Sequence, residues 1–185
     1  MEPEGLVQTH EDWAKADYSF CPKCGGSLAR RSVKSSEPDR LVCLACGFIF
    51  FLDPKVAVGT IVSLDGGLVL VRRAIEPAYG KWVFPGGFVD RGERVEEAAV
   101  RETREESCLE VKVTRLLNIY SYAEHPVIII VYIGEAIGGT VAAGDETLEA
   151  KIFPPSDLPW SDLAFPSTAQ ALRDYLASID LRAIP

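Results

Sequence analysis

The chain has 185 residues, 48% of them apolar, and a formal net charge of −8. That is enough for one medium domain with a sizeable core plus a small module. The acidic surplus argues against nonspecific nucleic-acid binding, which depends on Lys and Arg facing phosphates. No run of about 18 apolar residues occurs, so no transmembrane helix is expected. The acidic start MEPEGLVQTHEDWAKAD lacks both the apolar centre of a secretory signal and the arginines of a transit peptide, so the expected location is the cytoplasm.

In chain order, residues 1–19 read as a tail that Trp13 and Tyr18 pin to a surface. Residues 20–52 form a cysteine module. Cys21-Pro-Lys-Cys24 and Cys43-Leu-Ala-Cys46 are two CxxC knuckles with 18 residues between them. A glycine after each second cysteine lets the backbone turn so that amides face the thiolates. Four cysteines so spaced match a tetrahedral structural Zn²⁺ site. Two disulfides or four free thiols are the alternatives, and a cytosolic setting disfavours the disulfides. A four-cysteine site has no open coordination position, so its role is folding or contact rather than chemistry.

Pro54 separates this module from VAVGTIVSL, a β-branched strand. Asp65-Gly66-Gly67 is a turn and LVLVRR the next strand, together a hairpin. Lys81-Trp82-Val83 leads into a loop, Pro85-Gly86-Gly87. A helix follows from about Arg94 to Ser107, with Val95, Ala98, Ala99 and Val100 as its apolar side. Glu102, Glu105 and Glu106 lie at i, i+3 and i+4, on one helical face. Three carboxylates so placed repel one another unless a cation sits among them, and carboxylates favour hard ions such as Mg²⁺ or Mn²⁺. Taken alone, the run ERVEEAAVRETREE also reads as a solvated face laced with i,i+4 pairs.

Beyond the helix, VKVTRLLNIYS and VIIIVYIGEAI are strands, with the near-uniformly apolar Val127–Ile133 a central buried one. Gly138-Gly139 is expected to turn and Ala150–Phe153 to form a short strand. Pro154-Pro155 stops it, and Ser156 or Asp157 caps a helical turn. Ser167-x-x-Gln170 has the pattern of a capping box opening a last helix through about Ile179, striped by Leu172, Leu176 and Ile179. Strands and few helices in this order imply an α+β fold for residues 53–185.

Gly87, Glu93, Arg101-Glu102, Glu105-Glu106 and Leu109 fall in the register of the Nudix box, the signature of hydrolases that cleave nucleoside diphosphates linked to another moiety. The chain resembles that family. Thr103 replaces an aliphatic residue, and Cys108 replaces the closing glycine. A side chain disfavours the left-handed residue that ends a helix by roughly 1–2 kcal/mol, so the helix is expected to end differently here.

The resemblance implies a mixed β-sheet between helices, preceded by a zinc ribbon. It also implies Mg²⁺ or Mn²⁺ held by Glu102, Glu105, Glu106 and the carbonyl of Gly87, with Arg101 pairing with Glu93 to fix loop to helix. In several members a glutamate from a later loop serves as general base, and here Glu146 and Glu149 are the candidates. Arg72 and Arg73, at a strand end, are candidates to meet substrate phosphates, although strand neighbours face opposite sides. Trp82 either stacks on a base or fills the core. His125, before Pro126, reads as a loop-shaping residue ahead of a catalytic one.

The ribbon, PKVAVGTIV, GKWVFPGGF and ETLEAKIFPPSDLPWSDLAF extend the resemblance over most of the chain, toward zinc-ribbon Nudix proteins related to the ADP-ribose and FAD pyrophosphatases. The implied substrate is ADP-ribose or a similar nucleotide sugar, then FAD. NADH pyrophosphatases also carry a ribbon, but their Ser-Gln-Pro-Trp-Pro-Phe-Pro motif is not present here. A noncatalytic nucleotide sensor or protein-binding module is the alternative from another class. Related proteins are often dimers, so a homodimer is expected.

Overall fold

A computed structural model of the protein describes residues 18–123 and 125–180. Trp13 lies outside them. The described chain divides after Pro54 into two compact units.

Residues 18–54 carry a small antiparallel sheet, β1 (Leu28–Arg31), β2 (Arg40–Cys43) and β3 (Ile49–Phe50), in the order β1-β2-β3. Each CxxC knuckle closes through a backbone bond: Gly25 N donates to the Cys21 carbonyl at 2.8 Å and Gly47 N to that of Cys43 at 3.0 Å. Tyr18 meets the Phe50 ring edge-on at 4.9 Å.

Residues 55–180 form the larger unit. β4 (Lys55–Leu64) and β5 (Gly67–Arg73) make the expected hairpin across Asp65-Gly66, with Gly67 already in the strand. Short strands β6 (Trp82–Val83) and β7 (Gly86–Phe88) flank β5 and β4. After α1 (Val95–Ser107) come β8 (Leu109–Tyr120), β9 (Val127–Gly139), β10 (Thr147–Phe153) and α2 (Pro166–Asp180). The sheet runs β10-β5-β4-β9-β8, with β4 and β9 parallel and the other pairs antiparallel. This is a mixed sheet in an α+β unit.

Alternation along β4 assigns one helix to each face. Val58 packs with Ala98 and Ala99, and the Thr60 hydroxyl donates to the Ala99 carbonyl at 3.3 Å, so this face takes α1. Ile61 points the other way and shares a core with Leu70, Val131, Ala171 and Leu172, so that face takes α2.

Four local readings are revised. Gly138 and Gly139 continue β9 instead of turning, paired with Glu110 and Leu109. α2 begins at Pro166, with its fixed φ suited to the first helical position, so Ser167 lies inside the helix and the capping box does not form. Gln170 instead accepts a hydrogen bond from the Tyr122 hydroxyl. The buried stripe of α2 is Ala171, Leu172 and Tyr175, while Ile179 is exposed.

The fourth concerns the end of α1. Cys108 adopts the left-handed conformation itself, at φ 57°, and its amide closes on the Arg104 carbonyl. The helix ends as it would with glycine, and the side chain bears the cost. Thr103, the other departure, is fully buried and satisfied, donating to Ala99 O at 2.7 Å.

Candidate active site

The last two turns of α1, the Gly86-Gly87 segment of β7, the end of β5 and the start of β10 converge on one carboxylate cluster. Arg101 organises its outer part. Its Nε and Nη2 donate to the two oxygens of Glu93, both at 2.9 Å, a bidentate pair that ties the loop after β7 to the helix. Nη1 donates to Glu102 at 2.6 Å and Glu105 at 3.1 Å, and Nη2 reaches the Phe88 carbonyl at 3.2 Å. Hydrogen bonding from Arg101 draws the Glu93 carboxyl down to about 2.

Glu106 occupies the inner part. It is 6% exposed and accepts the Gly86 amide at 2.8 Å. Burial pushes its carboxyl up to about 7, against the pull of that amide, and the negative charges of Glu102 and Glu146 push the same way. Burial also raises Glu102, opposed by Arg101. Gly87 makes close approach possible: a Cβ there would strike the Glu102 carboxylate.

The two arginines and the two later glutamates separate cleanly. Arg73 is half-buried, with Nε donating to Pro77 O at 2.9 Å and its guanidinium 5.2 Å from the Phe165 ring. Burial lowers its affinity for its proton, and the charges of Glu106, Glu146 and Glu76 oppose that loss. Arg72 is exposed and donates to Gly80 O. Glu146 is close enough for its charge to raise both Glu102 and Glu106. Glu149 stands in β10 opposite Arg72.

Trp82 is 8% exposed and packs edge-on against Phe153 at 4.8 Å, so it fills the core and offers no face to a base. His125 Nδ1 accepts the Val127 amide and shapes the turn before β9. Sequence reasoning overlooked Phe165, which lies under Arg73, and the residues that hold Glu146. No local pattern marks such contacts between distant segments.

In the smaller unit the four cysteine sulfurs lie within 4.8 Å of one another. Cys21 and Cys46 are 3.9 Å apart, Cys24 and Cys43 3.5 Å. Tetrahedral Zn–S bonds of about 2.3 Å require S–S separations of about 3.8 Å. The amides of Lys23 and Cys46 face the sulfurs of Cys21 and Cys43, both at 3.4 Å. The donor set therefore fits zinc.

Residues 53–175 match the NUDIX domain, and residues 19–51 match the zinc ribbon described as Nudix N-terminal. The chain belongs to the Nudix hydrolase family. An ADP-ribose pyrophosphatase of Methanocaldococcus jannaschii is 42% identical over 130 residues, 68% of this chain and 75% of the relative. An NAD-capped RNA hydrolase of Pseudomonas putida is 27% identical over 149 residues, 80% of this chain, which spans about half that relative's length (51%). The crystal structure of a Nudix hydrolase from Nitrosomonas europaea superposes with a TM-score of 0.82 at 31% identity, covering 86% of this chain and 91% of that one.

This Nudix protein is accordingly a hydrolase of phosphoric anhydrides, in a family that acts on small nucleotide substrates and uses divalent metals. The oxygen-only donor set of Glu102, Glu105 and Glu106, with the Glu102 carboxylate against Gly87 and Glu106 on the Gly86 amide, is of the kind that suits a hard divalent cation. No described helix is long and apolar enough to cross a membrane.

Proposed function

We propose that the protein hydrolyses the pyrophosphate bond of ADP-ribose or a similar nucleotide sugar, with FAD next in preference. Residues 53–185 are the catalytic domain and residues 20–52 a ribbon holding one structural Zn²⁺. The observation that carries the substrate is the 42% identity to an ADP-ribose pyrophosphatase over 130 residues, 68% of this chain. Mg²⁺ or Mn²⁺ is the catalytic cation of this reading, and Glu102, Glu105, Glu106 and the carbonyl of Gly87 would hold it. When bound, such a cation offsets charge on the diphosphate and acidifies a water.

The chain's own residues do the rest. Arg101, locked to Glu93, keeps the carboxylate-bearing turn against the loop and balances the charge of Glu102 and Glu105. Arg73 meets a phosphate oxygen, held at the right depth by Pro77 O and Phe165. Glu146 takes a proton from the water that attacks phosphorus. The bridging P–O bond breaks, and two phosphomonoesters leave.

One observation favours a second reading, an NAD-type dinucleotide or NAD-capped RNA. The alignment to the NAD-capped RNA hydrolases reaches 80% of this chain, against 68% for the ADP-ribose pyrophosphatase. The missing Ser-Gln-Pro-Trp-Pro-Phe-Pro motif weighs against it. Purified protein with Mg²⁺ and a panel of ADP-ribose, FAD, NADH, NAD-capped RNA and diadenosine polyphosphates, with product identification, decides between them. The highest kcat/KM is expected for ADP-ribose. A preference for NADH or capped RNA by about tenfold or more, a difference of roughly 1.4 kcal/mol in transition-state binding, would overturn the first reading.

A further inference from the structure

The segment between β9 and β10 does more than connect them. A helix leaves its last carbonyls without intrahelical partners. In α1 two of those groups, the Glu106 and Ser107 carbonyls, are taken by this segment. Ala142 N donates to Ser107 O at 3.1 Å, and Gly144 N and the Thr147 hydroxyl donate to Glu106 O at 3.3 and 3.1 Å.

Residues 144–147 form a β-turn closed from Thr147 N to Gly144 O at 3.3 Å. The Thr147 hydroxyl also accepts the Gly144 amide at 2.8 Å, so one buried oxygen ties both ends of the turn to the helix. Gly144 presses so closely on the helix that a Cβ would run into the Glu105 carbonyl oxygen. Glu146 is the third residue of this turn. Its own carbonyl accepts the Ala74 amide at 2.9 Å, next to Arg73. Its backbone is thus fixed between the carboxylate helix and the arginine strand.

We propose that Gly144 and Thr147 are positioning residues for catalysis. They lock the turn onto the C-terminal end of α1, and that lock sets Glu146 in register with Glu102 and Glu106. The inference rests on Glu146 as the proton acceptor of the proposed reaction. It assigns work to two residues that touch neither substrate nor reacting atoms. Thr147→Val keeps the shape of the side chain and removes the hydroxyl. Gly144→Ala keeps the hydrogen-bonding groups and forces the turn away from Glu105.

The test is steady-state kinetics with Mg²⁺ and the best substrate of the panel, on the full chain. Thr147→Val and Gly144→Ala are expected to lower kcat about ten- to a hundredfold, the effect of misplacing a catalytic group by about 1 Å, with KM changed less than about threefold. Thr147→Ser restores the hydroxyl and is expected to restore kcat. Adding Glu146→Gln to Thr147→Val is expected to cost far less than Glu146→Gln costs alone, because a displaced base has little left to lose.

If Glu146→Gln alone leaves kcat intact, the base assignment fails and this inference fails with it. If Glu146→Gln is slow while Thr147→Val and Gly144→Ala run at the normal rate, the base stands and the lock is overturned. Should Thr147→Val not fold, Gly144→Ala combined with Glu146→Gln carries the same cycle.

Discussion

The protein carries two clusters of metal-ligand side chains, and they are prepared in opposite ways. The four cysteine sulfurs already stand close to the spacing a tetrahedral zinc requires, with backbone amides turned toward two of them. The three glutamates do not. Arg101 lies across Glu102 and Glu105, and Glu106 is buried far enough that its carboxyl titrates near neutrality. A closed sulfur site exists to be filled once and to hold the chain together. The proposed oxygen site would have to exchange ions and substrate, and its charges are balanced internally by Arg101.

Removing the metal from the ribbon is the largest perturbation. Binding free energy at such sites is about 10–16 kcal/mol and is folding free energy for the module. Cys43→Ser, or exhaustive chelation, should strip amide-exchange protection from residues 20–52 and leave it in residues 55–180. Protected ribbon amides in metal-free protein would break the contrast. Metal analysis of the reduced wild type should give about one zinc per chain.

The next largest effect belongs to the oxygen site. Glu105→Gln or Glu106→Gln removes several kcal/mol of charge stabilisation that the bound cation provides, on the order of a 10³-fold loss in kcat/KM. The fold should survive, since the amide oxygen introduced by Glu106→Gln can still accept the Gly86 amide. Near-normal rates in both variants, with folding checked by calorimetry, would remove these residues from the site.

The clusters also respond oppositely to pH. In the unfolded chain Glu106 titrates near 4.5, and in the folded protein near 7. Below the lower value it is protonated in both states and its contribution is fully present. Between the two, the unfolded state gives up the proton first, and stability falls by about 3 kcal/mol as pH rises. In magnesium-free buffer, wild type should therefore lose Tm relative to Glu106→Gln from about pH 5 to 7, and added Mg²⁺ should recover it. The ribbon goes the other way, because its ligands must shed protons to bind zinc. A flat difference between wild type and Glu106→Gln would show that Glu106 is not desolvated.

How much of this was legible depended on sequence distance. The knuckles, the hairpin, α1 and the carboxylate stripe are local patterns, and each lies where its spacing placed it. The choice between neighbours was not legible. Arg73 rather than Arg72, and Glu146 rather than Glu149, face the cluster because of strand register and one turn, which no local pattern records. The lock at Thr147 joins residues 41 apart in sequence. Ser167 misled because Pro166 is the stronger helix start.

The smallest expected effect concerns the fifth cysteine, and it tests whether the oxygen site carries strain that the sulfur site lacks. Cys108 holds φ 57° at the end of α1, two residues from Glu106, where only its Cβ opposes the conformation. Cys108→Gly removes that Cβ but adds freedom to the unfolded chain, so the net gain should be about 1 kcal/mol. For a chain of this length that is about 2–4 °C in the melting of the larger unit. Cys108→Ala is the discriminating control. It removes the sulfur and its 3.8 Å contact with the Ala143 carbonyl but keeps the Cβ, so it should gain nothing. If alanine stabilises as much as glycine, the sulfur and not the backbone is the source of strain. If neither does, the left-handed end of α1 costs nothing, and the helix that carries the carboxylates is as relaxed as the ribbon.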